Sequence, residues 1–424
     1  MASQRMEDLT RAAAQAAARE GATFEAEWKP VLLGGLYELS QAPQGKKGSA
    51  TDAMPANKRQ LLDQDLQREL KRCGIPFKRN DKHPVRSLDA QRLLCAVEDA
   101  GTRVALAHAL FRAYWVENKD VSQQDVLASI AQHHGINDVK DRIQNEKNKD
   151  TLRANTEWAA GHGAFGVPSF FVEVDDDLNL FFGNDRTHFA MRRLGVTPEH
   201  PLARPLRLQP TLRAAPKQDL VLNFYHDFSS PWSFLGSTQV FRLAEVHGAR
   251  LVMKPILLGA LFREIGTPNV PMLAISSVKR AYGGLDMQDW CAFHDNVPLR
   301  FPDDFPLRTV LPLRVAIADP AVTKHIYQAA WTQNKNVGDK DVLRQVLEKA
   351  GFDAETLFSQ ADQQGIKEQL KRNTMEFKDK GGCGVPTFQV GDAGALVWGQ
   401  DRVNVVADML SEAAESATAP SSSL

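Results

Sequence analysis

The segment Phe224-Tyr225-His226-Asp227-Phe228-Ser229-Ser230-Pro231-Trp232-Ser233 joins an apolar, β-prone run to a run with helical periodicity. It predicts a strand over residues 220–228 and a helix over residues 233–247, with a turn between them. Pro231 suits the first helical position, because the N–H that proline lacks is unpaired there anyway. Ser230 then lies at the positive end of the helix dipole, where an anion such as a thiolate is stabilised. Ser230 is also a plain N-cap residue, and both interpretations are open.

Five blocks of sequence occur twice in the same order. Lys254 follows Lys29 by 225 positions and Gly399 follows Gly183 by 216 positions, so the register drifts little along the chain. Ordered matches at nearly one offset indicate an internal duplication. The paired blocks are residues 28–37 and 253–262, 83–87 and 305–309, 115–119 and 331–335, 155–170 and 373–388, and 183–186 and 399–402.

The duplication predicts two thioredoxin-like α/β domains, each with a helical insertion. The complete second copy follows the plan β-α-β, a helical insert and β-β-α, with helix predicted throughout residues 271–372. The first copy begins with a helix near Met6, so the N-terminal copy lacks its first strand and the serine turn. The predicted boundaries are 1–200 for the truncated domain, 201–218 for a proline-rich linker, 219–415 for the complete domain with its insert at about 268–372, and 416–424 for a disordered tail.

Composition excludes several classes of function. The 424 residues carry a formal net charge of -1, which argues against a nucleic-acid or anionic-membrane partner. No run approaches the ~20 apolar residues that span a bilayer. The four cysteines form no C-x-x-C pair and no zinc-type spacing, so neither a metal site nor a disulfide framework is predicted. A reducing compartment follows, with cytoplasmic location predicted and the mitochondrion and peroxisome as alternatives.

Two further segments of the second copy have the residue types of a peptide-binding site. Val385-Pro386 opens a predicted strand, and a cis-proline there would turn the backbone of the preceding residue outward to pair with an extended peptide. A trans-proline that starts an edge strand is the alternative. Gln400-Asp401 lies between a short strand and the last predicted helix, where Asp401 can cap the helix or receive an amino group.

Together these motifs resemble the kappa-class glutathione transferases and 2-hydroxychromene-2-carboxylate isomerases, within the DsbA-like thioredoxin group. The family signature F-Y-D-x-x-S-P-[YFW]-S is met by residues 224–233, with one extra residue, His226, before the aspartate. The motifs L-L-G-[GA], G-x-P-[TI] and W-G-[NSQ]-D-R are met by residues 257–260, 384–387 and 398–402. The resemblance extends over residues 220–410 and, in the truncated copy, over residues 6–194.

The resemblance implies glutathione as the cofactor and a role for each matching residue. Ser230 would be the catalytic residue, donating a hydrogen bond that holds the glutathione sulfur as the reactive thiolate. The Val385 backbone would pair with the cysteinyl part, and Gln400 and Asp401 would bind the γ-glutamyl end. The full implied set is Ser230, Pro231, Trp232, Val385, Pro386, Gln400 and Asp401.

Two reactions are compatible with this site. An isomerase would add the thiolate reversibly to a conjugated double bond, whereas a transferase would leave it attached to a small electrophile. A thiol-disulfide oxidoreductase and a non-catalytic thioredoxin-like protein are the alternatives. Ser230 and Ser233 occupy the positions where a dithiol oxidoreductase has cysteines, which counts against the former.

Several residues depart from the family pattern or stand outside it. Asn269 lies two residues beyond the position where the family has a glutathione-contacting asparagine, so that contact is not carried over to it. Lys279 forms a K-x-x-Y pair with Tyr282 and is a candidate for a substrate carboxylate, although a solvated lysine is the commoner case. Cys383 is interpreted as a small packed residue. Glutathionylation is the alternative if its thiol proves exposed.

The first copy retains only the second half of the site. It has Val167-Pro168 and Asn184-Asp185 but no serine turn, so no helix start would stabilise a thiolate there. It is therefore predicted to be catalytically silent. An intramolecular pseudo-dimer between the copies is predicted, with a homodimer as the alternative.

Overall fold

The computed structural model describes residues 2–45, 54–196 and 220–416. The predicted linker at 201–218 lies outside the described residues, as does the predicted tail beyond residue 416. The chain forms two compact units, and neither is a continuous half of the sequence. Unit 1 comprises Met1–Ala53, Glu69–Pro205 and Met272–Asp286, and unit 2 comprises Met54–Arg68, Leu206–Pro271 and Met287–Leu424.

The N-terminal copy is mostly helical and ends in a β-hairpin. Its helices and strands are α1 (Ala2–Arg19), α2 (Leu33–Leu39), α3 (Ala56–Arg72), α4 (Leu88–Cys95), α5 (Ala100–Trp115), α6 (Gln124–Gln132), α7 (Val139–Gln144), α8 (Glu146–Gly161), β1 (Ser169–Val174), β2 (Asp177–Phe182) and α9 (Thr187–Arg193).

The C-terminal copy has the predicted order of strands around a helical insert. Its elements are β3 (Val221–His226), α10 (Pro231–His247), β4 (Arg250–Pro255), α11 (Leu258–Ile265), α12 (Ser277–Phe293), α13 (Val310–Ala318), α14 (Thr323–Trp331), α15 (Lys340–Lys349), α16 (Ala354–Ala361), α17 (Gln364–Asp379), β5 (Thr387–Val390), β6 (Leu396–Trp398) and α18 (Val403–Ser416).

Unit 2 is built on a four-stranded mixed sheet in the order β4-β3-β5-β6. The central strand β3 pairs parallel with β4 and antiparallel with β5, placing Tyr225 beside both Lys254 and Thr387. Because β3 is covered on both faces, its apolar residues are buried, with Leu222 and Phe224 fully so. The turn that follows β3 therefore leaves from the centre of the sheet.

The same hydrogen bond occurs in both units: an asparagine of the last insert helix donates to the carbonyl oxygen of a proline. In unit 2, Asn373 Nδ2 donates to the Pro255 carbonyl at 3.0 Å, and in unit 1, Asn155 Nδ2 donates to the Pro30 carbonyl at 3.1 Å. These bonds confirm the duplication at the level of individual atoms.

One prediction about regular structure is wrong, and one repeated segment differs between the two copies. Residues 294–309 interrupt the insert of the second copy as a non-helical segment, because Pro298, Pro302 and Pro306 restrict the backbone there. In the first copy, residues 23–30 alternate between exposed and half-buried, yet no strand is assigned to them. They correspond to β4, whose neighbour β3 has no counterpart in the described part of unit 1, so the hydrogen bonds that define a strand are not made.

In each copy, the start of the first insert helix belongs to the compact unit that is formed mainly by the other copy. Residues 54–68, which include the beginning of α3, belong to unit 2, and residues 272–286, which include the beginning of α12, belong to unit 1. In unit 2, Leu61 is buried in one apolar cluster with Phe377, Cys383 and Val385. A segment of the N-terminal copy is thus part of the core beside Val385.

Across the described ranges, no helix is long and apolar enough to cross a membrane.

Candidate active site

The serine turn in unit 2 is a helix start of the predicted kind. Ser230 is the N-cap of α10, and its hydroxyl accepts a hydrogen bond from the Ser233 amide at 3.1 Å. Pro231 occupies the first turn, and no acidic residue lies there. The N-cap interpretation is therefore confirmed. The cap leaves the hydroxyl hydrogen of Ser230 available for a second partner.

That second partner belongs to the Val-Pro element. The Ser230 hydroxyl donates to the carbonyl oxygen of Val385 at 3.3 Å. The Val385–Pro386 peptide bond is cis, as the sequence predicts. Two of the three predicted pieces of the site thus meet at one hydrogen bond. Ser230 and Val385 are each only 6% exposed, so this hydrogen bond is shielded from water.

Helix α10 lies close to Pro386 because it has a glycine at the point of contact. A Cβ atom at Gly236 would lie 3.0 Å from Cγ of Pro386. Gly384 plays a similar part on the other side, since a Cβ there would lie 3.0 Å from Nε1 of Trp398. The absence of two side chains therefore allows the serine turn, the cis-proline and the last strand to pack together.

The carboxylate of Asp227 lies under the serine turn and is 1% exposed. Its Oδ1 accepts from the Ser229 amide at 2.9 Å and from the Thr309 hydroxyl at 2.7 Å, while Oδ2 accepts from the Leu258 amide at 2.8 Å. Burial raises the pKa of this carboxyl, and the same three hydrogen bonds act to lower it. Asp227 did not appear among the predicted site residues.

His226 is the last residue of β3 and is fully buried. The pairing register with β4 runs without a break through His226, so the extra residue of the motif extends the strand by one position. Its Nδ1 lies 3.2 Å from the Tyr327 hydroxyl. Burial lowers the pKa of His226 to about 3, so the ring is neutral at pH 7.

The third predicted piece, Gln400-Asp401, lies at the start of the last helical segment, which packs against α10. Gly399 is the N-cap residue of the 3-10 turn Gln400–Arg402, and this N-cap has no side-chain hydrogen bond. The Asp401 carboxylate instead pairs with Arg402 at 3.0 Å. Gln400 is 3% exposed, and its side-chain oxygen lies 3.1 Å from Nε2 of His294.

Arg402 also binds a residue of the N-terminal copy. Its Nε lies 2.9 Å from Oδ2 of Asp65, so one guanidinium bridges two carboxylates within unit 2. All three side chains are 16–18% exposed. Asp65 was missed because it lies in the copy that lacks the serine turn. Its signal was a repeat: Asp65 follows Lys58 by seven residues, as Asp286 follows Lys279.

Two further residues at the start of α3, Asn57 and Lys58, contact the C-terminal copy within unit 2. Asn57 Nδ2 donates to the carbonyls of Lys378 and Gly382, each at 3.1 Å. Lys58 Nζ lies 5.4 Å from the ring centroid of Trp398. A cation over an aromatic face is attracted to it, so Lys58 adds a positive charge beside the last strand.

Unit 1 contains a matching arrangement without the serine turn. Val167–Pro168 is cis, and Val167 is 45% exposed. Arg186 pairs with Asp286 through bonds of 2.6 and 2.9 Å, and with Asp185 at 3.0 Å. The charged end of the site is therefore present in both units, whereas the structure describes a serine turn only in unit 2.

The remaining residues singled out in the sequence are placed as follows. Lys279 lies in unit 1, with Nζ 5.7 Å from the ring centroid of Phe165. The side-chain oxygen of Asn269 lies 3.2 Å from where a Cβ of Gly259 would be, beside the start of α11. Cys383 is 5% exposed and packed in the apolar cluster, and burial raises its pKa to about 12. The interpretation of Cys383 as a packed residue is confirmed.

No group of three His, Cys, Asp or Glu side chains suited to a metal ion occurs within the part of the chain that the structure describes.

The DSBA-like thioredoxin domain family matches this chain twice, over residues 2–195 and 221–411. These two segments make up most of the sequence, so the chain belongs to that family.

Its relatives are enzymes of two named kinds. This chain is 25% identical over 210 residues to glutathione s-transferase kappa 2 of Caenorhabditis elegans. The match covers 45% of this chain and 92% of that protein. The chain is 27% identical over 188 residues to 2-hydroxychromene-2-carboxylate isomerase of Pseudomonas sp. (strain C18), spanning 43% of this chain and 87% of that protein. Each relative thus corresponds to about one of the two copies.

A solved structure of a 2-hydroxychromene-2-carboxylate isomerase is also similar. It covers 46% of this chain and 97% of its own, with 22% identity and a TM-score of 0.42.

Proposed function

We propose that unit 2 binds glutathione and uses its thiolate in a transfer or isomerisation reaction. The observation that carries the proposal is the hydrogen bond between Ser230 and Val385, at 3.3 Å. It places a hydroxyl donor and the N-terminus of a 17-residue helix beside the backbone of a Val-Pro pair. A thiolate at that point is stabilised by both the hydroxyl and the helix dipole.

Binding would redirect the hydrogen of Ser230. The hydroxyl has a single hydrogen, and in the absence of a ligand it points to the Val385 carbonyl. The cysteinyl N–H of glutathione pairs with that carbonyl in the proposed complex. There the Ser230 hydrogen turns from the carbonyl to the sulfur, because a thiolate is the stronger acceptor, while the Ser233 amide still donates to the hydroxyl oxygen. Peptide pairing and thiolate stabilisation are thereby coupled.

The charged end of the site suits a γ-glutamyl group. Asp65 and Asp401 place two negative charges around the single positive charge of Arg402, which leaves a net attraction for an ammonium group. A ligand carboxylate would meet the guanidinium of Arg402. The Gln400 side chain is engaged with His294, so its part in binding is assigned to its backbone.

The chemistry begins in the same way for both candidate reactions. The thiolate sulfur gives an electron pair to an electrophilic carbon, forming a C–S bond. In an isomerase, the π electrons of the attacked double bond move to a conjugated acceptor, rotation follows, and they return as the thiolate leaves. In a transferase, the leaving group departs with its electron pair and the C–S bond remains. Ser230 stabilises the thiolate in both.

Thiol-disulfide exchange is the less favoured alternative. Such a reaction needs a thiolate that can reach a disulfide, and Cys383, the cysteine closest in sequence to Pro386, is buried with its pKa raised to about 12. Ser230 and Ser233 occupy the helix start where a dithiol pair would lie. A non-catalytic scaffold is the other alternative, and the Ser230–Val385 hydrogen bond, which the structure describes in unit 2 alone, favours a binding site over it.

The N-terminal copy has a defined part in this proposal. It supplies residues 54–68 to unit 2, including Asp65 and the apolar cover of Val385 by Leu61. It lacks the serine turn and is proposed to be catalytically silent.

Calorimetric titration with glutathione tests the proposal. One molecule should bind per chain, and Asp401→Ala should weaken binding by about tenfold, because one of two attracting carboxylates is lost. Absence of binding by the wild-type protein rules the proposal out. Reduction of insulin disulfides by the wild type, abolished in Cys383→Ala, would instead support the oxidoreductase.

A further inference from the structure

The buried carboxylate of Asp227 connects the starts of three helices. Ser229 precedes the N-cap of α10, Leu258 is the first residue of α11, and Thr309 is the N-cap residue of α13. All three donate to the two oxygens of this carboxylate, at 2.7–2.9 Å. The three segments are far apart in sequence, so one side chain determines how they meet.

The main-chain atoms of Asp227 extend the same connection. The Ser230 amide donates to the Asp227 carbonyl at 3.2 Å, and so does the Tyr327 hydroxyl. The adjoining Phe228 carbonyl accepts from Nε1 of Trp331 at 2.7 Å. The turn that carries Ser230 is therefore fixed by hydrogen bonds to the Asp227 carboxylate and to two side chains of α14.

The repeat positions in unit 1 allow a comparison with a unit in which the structure describes no serine turn. Leu33 and Ser87 stand at the repeat positions of Leu258 and Thr309. For the residues that the structure describes in unit 1, neither the Leu33 amide nor the Ser87 hydroxyl has a hydrogen bond to a carboxylate. The three-way connection thus occurs in the unit that has Ser230.

We propose that Asp227 is a positioning residue that fixes Ser230 for its hydrogen bond to the glutathione sulfur. It does not touch the ligand; it sets the position of the turn through Ser229 and holds the starts of α11 and α13 against it. The proposal rests on the proposed glutathione site and adds a residue to it.

Asp227→Asn is the sharpest variant. An asparagine has one acceptor oxygen, and its NH₂ group faces either the Leu258 amide or the pair Ser229 and Thr309, so at least one donor is left facing another donor. Losing hydrogen bonds to a charged group in a buried site should lower kcat by about tenfold or more. KM for glutathione should change little, because the γ-glutamyl end is held elsewhere.

A second pair of variants keeps the test decisive if Asp227→Asn does not fold. Thr309→Val removes one donor from the same carboxylate, and Thr309→Ser keeps it. Thr309→Val should lower kcat and raise the pKa of the bound glutathione thiol, read from thiolate absorbance near 240 nm. Thr309→Ser should restore both to the wild-type values.

Hydrogen–deuterium exchange separates this proposal from the glutathione site itself. Without any ligand, Asp227→Asn and Thr309→Val should speed exchange in peptides covering residues 228–235 and 256–262, and leave α18 unchanged. If the exchange is unaltered, or Thr309→Val matches Thr309→Ser in every measurement, the positioning role is wrong. If the exchange changes but the wild type binds no glutathione, only the proposed function fails.

Discussion

The hydroxyl oxygen of Ser230 lies 3.3 Å from the carbonyl oxygen of Val385, although 155 positions separate the two residues in sequence. This hydrogen bond joins the start of α10 to the Val-Pro pair before β5. It also gives the hydroxyl a partner that a bound peptide can replace. The position of this one hydrogen atom is central to the proposed chemistry.

Ser230→Ala should reduce turnover sharply and stability only slightly. The variant loses the donor to the sulfur, which we expect to lower kcat by about a hundredfold, within the range for a donor to a reacting anion. It also loses the cap on α10, a loss of about 1 kcal/mol in the free energy of unfolding. Ser230→Thr keeps the hydroxyl and is the matched control. Equal turnover in wild type and Ser230→Ala would show that the hydroxyl has no part in the reaction.

A glutathione analogue methylated on the cysteinyl amide nitrogen should separate binding from activation. It cannot donate to the Val385 carbonyl, so Ser230 keeps its present hydrogen bond. We expect the bound analogue to have a thiol pKa about one unit above that of bound glutathione, which corresponds to a tenfold lower thiolate fraction. The measurement is a pH titration of thiolate absorbance. An equal thiol pKa for the two ligands would contradict the proposed exchange of the hydroxyl hydrogen.

Asp65→Asn should weaken glutathione binding, although the residue lies in the N-terminal copy, which we propose to be catalytically silent. The carboxylate is part of the charge cluster around Arg402, and its loss should raise Kd by about tenfold. Asp286→Asn is a matched control, because Asp286 pairs with Arg186 at the corresponding place in unit 1. Calorimetry should show unchanged affinity for that control. The same loss in both variants would indicate a general loss of structure.

His226 should make the protein less stable as the pH falls. Burial lowers its folded-state pKa from 6.5 to about 3. Below pH 6.5 the unfolded chain therefore binds a proton at this residue that the folded chain does not bind. The stability that the neutral ring contributes is complete above pH 6.5 and is lost towards pH 3, by at most about 1.4 kcal/mol for each pH unit.

His226→Phe removes this titration and keeps an aromatic ring beside Phe224 and Phe228. In urea unfolding at pH 7, 5.5 and 4.5, the free energy of unfolding should fall less steeply for this variant than for the wild type. Parallel pH dependences would mean that folding does not lower the pKa of His226.

Much of unit 2 was predictable because its signals are local. Strand β3, the N-cap at Ser230 and the proline in the first turn of α10 depend on residues within ten positions of one another. Patterns of this kind depend on backbone preferences that hardly vary with tertiary context. The cis bond at Val385–Pro386 was expected from the family resemblance of residues 384–387, because the backbone preference alone favours trans.

The missed features depend on residues far apart in the chain. Asp65 reaches Arg402 across 337 positions, and Thr309 reaches Asp227 across 82. The assignment of residues 54–68 to unit 2 has no local sequence signal, since α3 has the same amphipathic pattern wherever it packs. The lack of an assigned strand at residues 23–30 has a similar cause: these residues alternate as in a strand, but among the residues that the structure describes no strand pairs with them.

A crystal structure with glutathione bound tests the central claim most directly. We predict one glutathione molecule per chain, with its cysteinyl amide on the Val385 carbonyl and its sulfur within hydrogen-bonding distance of the Ser230 hydroxyl. The equivalent site at Val167 in unit 1 should be empty. Glutathione at Val167, or at neither site, would contradict the account.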